Sequence, residues 1–320
     1  MNRRYSVKRP IQLGLCCLNT QLREKKPSCF SSRRITMKTL EKKGLSHLQE
    51  KIIQNIKDTI EMVHWNEKHG IRVFRLSSEM FPHKSNPKVD DYSFDFAKSL
   101  LIKLGHIAKF YNHRITMHPG HFNCIGTPNK TVFKNTIADL SYHATMLDIM
   151  RMDHNSVMVV HGGGVYGDKK KTLERWIRQY EMLPLNIKKR LVLENCEKNF
   201  NIEDCLWISS KIDIPVVFDT HHFQCYQQLH PDETFQSPEY YIPLILKTWT
   251  KRNIKPKFHV SEQGSGKCGH HSDFIEKLPN YLLNIPTRYD IEIDIMIEAK
   301  KKEQAIFKLY EKYKNLNCLF

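Results

Sequence analysis

The chain has 320 residues, 40% of them hydrophobic and 10% aromatic, and 50 Lys and Arg against 34 Asp and Glu give it a formal charge of +16. No apolar run approaches the ~20 residues needed to span a bilayer, which excludes an integral helical membrane protein, and the composition is that of a soluble globular enzyme with a large core. The excess charge draws in a polyanion, because neutralised phosphates release condensed counterions; a basic, merely solvated surface is the plainer alternative. Nine cysteines occur without a Cys-x-x-Cys pair, and the adjacent Cys16 and Cys17 cannot close an ordinary disulfide, so a reducing, intracellular compartment is expected.

In chain order, residues 1–10 read as a basic arm (Arg3, Arg4, Lys8 and Arg9 before Pro10), followed by one domain over 11–320. A first buried strand is expected over Ile11–Leu18. Residues 18–44, basic from Arg23 to Lys43, read as a long loop that either touches DNA or is simply solvated. Leu48, Ile52, Ile56, Ile60 and Val63 fall on one helical face. Next come a strand over Arg72–Leu76, a helix over 95–112 and a strand over Arg114–His118, then a helix with Phe133, Ile137, Leu140, Ala144 and Leu147 on one face. Strands at Val157–His161, Arg190–Glu194, Pro215–Asp219, Pro256–Ser261 and Tyr289–Glu298 then alternate with helices at 169–183, 202–212, 238–252, 272–283 and 300–315. Asn201, with Asp204 three residues on, is a helix cap, and Ser272 would cap the helix at 272–283. Short apolar runs bounded by polar segments are the mark of buried parallel strands. Eight strand–helix units give a single TIM-type (β/α)8 barrel; an open doubly wound sheet would not usually need eight.

The metal-loving side chains fall at strand ends. His118, His161, Glu194 and Asp219 close the third to sixth strands, His222 follows Asp219 by three residues, His259 lies near the end of the seventh, and Glu298 closes the eighth. In a barrel those ends converge on one face, where imidazoles and carboxylates make sites for Zn²⁺, Mn²⁺ or Fe²⁺. Any one of them could be a hydrogen-bonded core residue or a helix cap; as a set they point to a metal site. The glycines of His161-Gly162-Gly163-Gly164-Val165-Tyr166-Gly167 either free N–H groups for an anion or build a tight turn. His121 and Phe122, after the His118-Pro119-Gly120 turn, could probe a base, although Phe122 could equally pack under its loop.

Taken in order, Leu13–Asn19, Phe74-Arg75-Leu76-Ser77-Ser78-Glu79-Met80-Phe81-Pro82, His118-Pro119-Gly120, His161–Asp168, Leu193-Glu194-Asn195, Asp219–His222, His259–Gln263, His271-Ser272-Asp273 and Ile295–Lys300 resemble the motifs of the UV damage endonucleases over about residues 11–305. That family is related to the endonuclease IV barrels. The resemblance implies a cluster of up to three divalent ions, commonly Mn²⁺, with Zn²⁺ or Mg²⁺ as alternatives. His118, His161 and Glu194 would hold one ion; Glu194, Asp219, His259 and Glu298 a second; His222 and His271 a third. Glu194, Lys257 and His259 would be catalytic, with Lys257 either carboxylated or contacting phosphate. His121, Phe122, Leu15, Asn19, Asn86 and Tyr166 would face DNA or the lesion. The family commonly has Gln and Tyr where this chain has His121 and Phe122, and a histidine where it has Asn86.

The implied activity is hydrolysis of the phosphodiester 5′ to cyclobutane pyrimidine dimers and 6-4 photoproducts in double-stranded DNA, leaving 3′-hydroxyl and 5′-phosphate ends. A monomer without an obligate protein partner or a membrane is expected. Three rivals stay open: an apurinic-site endonuclease on the same barrel, a metal-dependent sugar isomerase, which the basic charge disfavours, and a catalytically silent DNA-binding protein.

Overall fold

Runs such as Leu-Val-Leu before Glu194 and Val-Val-Phe before Asp219 are apolar on both faces, so they are stable only where both faces are covered. A computed structural model describes residues 10–89 and 92–316. In it β1 (Ile11–Cys16) leads to α1 (Thr20–Glu24) and α2 (Met37–Lys68), β2 (Val73–Arg75) to α3 (Lys98–Phe110), and β3 (Arg114–Thr116) to α4 (Lys130–Ile149). β4 (Met158–His161) precedes α5 (Lys169–Glu181) and α6 (Leu185–Lys188); β5 (Leu191–Glu194) precedes α7 (Ile202–Ile212); β6 (Val216–Asp219) precedes α8 (Thr220–Leu229) and α9 (Pro238–Thr250). β7 (Lys257–Val260) is followed by α10 (Asn280–Leu283) and α11 (Ile285–Tyr289), and β8 (Ile293–Ile297) by α12 (Lys302–Lys312).

The strands pair in parallel in the order β3-β2-β1-β8-β7-β6-β5-β4. Met117 closes the ring between β3 and β4: its N–H donates to Val157 O and its carbonyl accepts from Val159 N–H, each at 2.9 Å. The result is the TIM-type barrel expected from the eight units, with helices outside. Its interior is partly ionic. Arg114 Nη1 donates to Asp294 Oδ2 at 2.7 Å, and Lys255 Nζ lies 2.6 Å from Asp294 Oδ1. Lys257 is fully buried, and its Nζ has no hydrogen-bond partner.

All eight expected strands are present, several shorter at their ends; the first residue assigned to the eighth, Tyr289, belongs to α11. The capping box at Asn201 forms, with Asp204 N–H donating to Asn201 Oδ1 at 2.9 Å and Asn201 N–H to Asp204 Oδ2 at 2.8 Å. Residues 1–9 of the expected basic arm lie outside the described residues. Three readings are corrected. The segment 18–44 is not a plain loop: it carries α1 and the first turns of α2, which bends at Gly44 (φ +75°). The helix expected over 272–283 is irregular until Asn280, and Ser272 caps nothing, because its hydroxyl donates to Phe274 O instead. α8 was not anticipated; it starts directly off β6, with Asp219 as its cap. Among the described residues no helix is long and apolar enough to cross a membrane.

Candidate metal centre

Parallel register sets the strand ends level with one another. His161 on β4 pairs with Glu194 on β5, and Asp219 on β6 pairs with His259 on β7. Glu298 follows β8, His118 lies just past β3, and His222 sits in the first turn of α8. Glu194 is the hub. Its Oε2 lies 2.9 Å from His118 Nε2 and 3.5 Å from His161 Nε2, while its Oε1 lies 2.6 Å from His259 Nδ1 and 3.9 Å from His222 Nδ1. His259 Nδ1 is also 3.2 Å from Glu298 Oε1, and His271 Nδ1 is 4.0 Å from Glu298 Oε2. Three overlapping sets of side chains converge tightly enough to hold a metal ion: His118, Glu194 and His259; Glu194, Asp219 and His222; and Asp219, His259 and Glu298.

Neighbouring residues fix these side chains. Asp219 Oδ1 accepts from the N–H groups of His221 and His222, both at 2.8 Å, so one oxygen caps α8. Asn195 holds the Asp219 backbone through two bonds, at 2.8 and 3.0 Å, and its own carbonyl lies 3.0 Å from His222 Nδ1. With Nδ1 donating there, Nε2 is the nitrogen that loses its proton to a cation. His221, inside the Asp219–His222 motif but given no role by it, ties α8 to the β7 loop through Ser261 Oγ (3.0 Å) and Gln263 Oε1 (3.1 Å).

Arg75 went unassigned at the sequence level although it lies inside a quoted motif. Its Nη1 donates to Glu298 Oε1. Alternation along β2 between two apolar neighbours was the signal that could have placed it inward.

Burial and charge oppose each other in this pocket. Burial alone would raise the Glu194 carboxyl, but the His259 and His161 imidazoles and hydrogen bonds from His118 and His259 hold it well below the ordinary carboxylate range. Glu298 behaves likewise, with burial overcome chiefly by Arg75 and then His259. For Asp219 burial prevails: despite His222, and with Glu194 and Glu298 adding to the effect, its carboxyl is pushed up to about 7. His222 is raised to about 9, since Asp219 and Glu194 outweigh its burial. Burial, reinforced by Arg114, lowers Lys257 to about 7.

The donor set fits a divalent cation on its own evidence. Asp219 Oδ2 is buried and has no hydrogen-bond partner, and Asp219 belongs to two of the three converging sets. Bare buried acceptors are costly unless something positive meets them, and a mixed imidazole–carboxylate set suits Mn²⁺, Zn²⁺ or Fe²⁺.

The residues expected to meet DNA divide into two groups. His121 stacks on His161 with ring centroids 4.6 Å apart and planes 14° from parallel, and Phe122 is 61% exposed beside it. Tyr166 is exposed, with the Arg175 guanidinium 5.7 Å from its ring centroid. Asn86 lies in the β2–α3 loop, its Nδ2 3.3 Å from His83 Nδ1. Leu15 and Asn19 are corrected: Leu15 is fully buried in the core, and Asn19 is buried with its Oδ1 capping α1 at 2.8 Å from Leu22 N. Neither presents surface to DNA. The glycine run after His161 serves packing: a Cβ on Gly162 would sit 2.2 Å from the Phe200 ring, and Gly163 has φ +90°.

Fold and site together define a TIM-type barrel with a histidine–carboxylate centre, able to hold metal, at the C-terminal ends of its strands. The family model for UV-endonuclease UvdE matches residues 11–319. A protein of Acanthamoeba polyphaga mimivirus is 39% identical over 308 residues, covering 95% of this chain and 91% of its own. The UV-damage endonuclease of Schizosaccharomyces pombe is 37% identical over 316 residues, covering 96% of this chain, which spans 51% of that longer protein. The solved structure of SacUVDE superposes with a TM-score of 0.80 at 30% identity, covering 96% of this chain and all of that one. Endonuclease IV from Thermus thermophilus, at 15% identity and a TM-score of 0.56 over 81% of this chain and 94% of its own, shares the fold. The chain belongs to the UV-endonuclease family.

Proposed function

We propose that this chain is a metal-dependent endonuclease that hydrolyses the DNA phosphodiester immediately 5′ to UV photoproducts, cyclobutane pyrimidine dimers and 6-4 photoproducts among them, leaving 3′-hydroxyl and 5′-phosphate ends. The observation that carries the reading is Glu194, whose two oxygens face His118 and His161 on one side and His259 on the other, in a chain of this family. We assign His118, His161 and Glu194 to one cation and Glu194, Asp219, His259 and Glu298 to a second, with Mn²⁺ as the ion. A third is assigned to His222 and His271, with His222 also close to Glu194. Bound there, divalent cations lower the pKa of water and neutralise charge on the scissile phosphate and leaving oxygen.

The chain's own residues supply the rest. Glu194 stays ionised and aligns three imidazoles; Asp219 keeps Oδ2 free by capping α8 with Oδ1 alone. Lys257 completes the catalytic set: titrating near neutrality, its buried amine can be carried uncharged and is open to carboxylation. His121, Phe122, Tyr166 and Asn86 form the surface offered to the lesion. Photoproducts pair and stack poorly, so extruding them costs less than extruding normal bases, which selects damage without base-edge readout. The +16 charge supplies sequence-independent attraction to duplex DNA.

UV-irradiated and unirradiated supercoiled plasmid incubated with the protein and Mn²⁺ tests the reading. Nicking is expected only of irradiated plasmid and only without chelator. Equal nicking of both plasmids, or none of either, would overturn it. Oligonucleotides carrying an abasic site or a single photodimer separate the two repair chemistries.

A further inference from the structure

The loop after β7 that carries His271 is fastened to α8 along a seam of small polar groups. The chain runs out from Gln263 and back to His271 as a hairpin, closed by a bridge between those two residues and by Gly264 N–H donating to His270 O at 2.6 Å. Ser265, Gly266 and Lys267 at its tip are exposed. The Gln263 amide is the peg inside it: Nε2 donates to Gly264 O and Lys267 O at 2.8 and 3.0 Å, and Oε1 accepts from Gly269 N–H at 3.0 Å. With the amide held that way round, Oε1 faces His221 Nε2 on α8 at 3.1 Å. His221 therefore carries its hydrogen on Nε2, and its Nδ1 accepts from Ser261 Oγ at 3.0 Å.

Two thiols meet in the same seam. Cys225, three residues past His222 on α8, is 2% exposed, and Cys268 on the hairpin is partly exposed. Cys268 Sγ donates to Gln228 Oε1 at 3.5 Å, one turn along α8 from Cys225. Cys225 Sγ lies 3.3 Å from His221 Nε2 and 3.9 Å from Gln263 Oε1, and it shares hydrogen bonds with the Cys268 thiol and the Gly269 N–H. Neighbouring thiols of which one meets solvent and the other is shielded suit an oxidised and a resolving cysteine. Burial, then the Cys268 thiol, push Cys225 up to about 12, so it stays protonated. The N–H groups of His221 and Gly269 are placed to stabilise the charge its sulfur develops during attack.

We propose that Cys225 and Cys268 form a peroxide-sensitive pair whose disulfide clamps the His271 hairpin to α8. The Cys268 thiolate attacks hydrogen peroxide: an S–O bond forms, the O–O bond breaks, and the departing hydroxide takes up the proton that Cys268 had released. The product is a sulfenic acid. Cys225 sulfur then attacks Cys268 sulfur: the S–S bond forms, the S–O bond breaks, and the second hydroxide leaves as water with the Cys225 proton. The two thiols lose two electrons, and the peroxide is reduced to two waters. A dithiol reductant reverses the bond by exchange. The clamp joins the hairpin bearing His271 to the helix bearing His222, the two residues assigned to the third cation, so oxidation acts on the rim of the metal centre.

The test treats the full-length, Mn²⁺-loaded protein with a small molar excess of hydrogen peroxide and follows it by peptide mass spectrometry and hydrogen exchange. A Cys225–Cys268 cross-link should accumulate ahead of other cysteine oxidation and disappear with dithiothreitol. It should slow exchange of the Gly264 and Gly269 amides by about tenfold, as closing the hairpin onto α8 raises its local stability. Cys268→Ser, at a partly exposed position, should lose both the cross-link and the slowing. Cys225→Ala should strand Cys268 as a sulfenic acid that dimedone traps. Cys268 passing to a sulfinic acid beside a free Cys225, or both thiols staying free while other cysteines oxidise, overturns the pair. A cross-link that leaves hairpin exchange unchanged overturns the clamp. None of these readouts depends on nicking.

Discussion

Arg75 reaches from β2 to donate from Nη1 to Oε1 of Glu298, the same oxygen that lies 3.2 Å from His259 Nδ1. A guanidinium is thus spent on a carboxylate of the metal centre. It offsets one of three negative charges gathered there and leaves Oε2 for other partners. Removing one member of a buried ion pair typically costs ~3–5 kcal/mol, and Arg75→Met should lose close to that in urea denaturation of the metal-free protein. Saturating Mn²⁺ should return part of the loss, because a ligand bound only by the native state stabilises it. Unchanged stability without metal would show that the pair is not holding Glu298.

Glu194→Gln keeps the shape of the hub and removes its charge. Nicking of irradiated plasmid should fall to background. Mn²⁺ binding, followed by titration, should weaken by more than the ~10–100-fold typical of losing an outer-shell partner. Circular dichroism should show the fold retained, and full activity would remove Glu194 from the mechanism.

Asp219 gives the site a pH dependence whose sign is fixed. With its carboxyl pushed up to about 7, largely by burial, it is protonated below neutrality, and His222, raised to about 9, carries a proton there too. A cation must displace both, so apparent Mn²⁺ affinity should rise from pH 6 to pH 9 and binding should release protons. Calorimetry in two buffers of different ionisation enthalpy reads the proton count, and a pH-independent affinity contradicts the assignment. Without metal the same group works on the fold: a pKa raised above the ~3.9 of a free aspartate favours the folded state at low pH, and that contribution is lost progressively up to pH 7.

Phe122 should separate lesion recognition from metal binding. Base–aromatic stacking is worth ~1–3 kcal/mol, so Phe122→Ala should weaken binding to photodimer duplex by about five- to a hundredfold while leaving Mn²⁺ affinity unchanged. An equal loss on undamaged duplex would assign Phe122 to general DNA contact.

The barrel was legible because its strands are short apolar runs, and from the third onward they end at or near a polar residue, the pattern that marked His161, Glu194, Asp219 and Glu298. Where one residue does two jobs, the sequence hid one of them. Asp219 reads as a ligand at the end of a strand, which masks its role as the cap of α8, and the helix after it, Thr-His-His-Phe-Gln-Cys-Tyr, looks like more site chemistry. The opposite error occurred at Ser272, whose cap-like setting suggested a helix; the chain there instead hangs on Glu262, whose backbone carbonyl accepts from Ser272 N at 2.8 Å and whose side chain accepts from Glu276 N at 2.9 Å. Leu15 and Asn19 were assigned by motif, and a motif does not say which side of a strand meets solvent. Arg75 and Asn195 act through partners 223 and 24 residues away, a separation that no local pattern records.

Among the described residues, the ring of strands is joined between β3 and β4 only through Met117. That leaves one narrow weld in an otherwise continuous hoop, and His118 and His161 stand on its two lips. An ion gripped by both imidazoles would rivet the hoop where it is weakest, so loading should slow hydrogen exchange at the amides of Met117 and Val159 more than at equally buried amides across the barrel. Occupancy would then be readable from the backbone itself, without any DNA present.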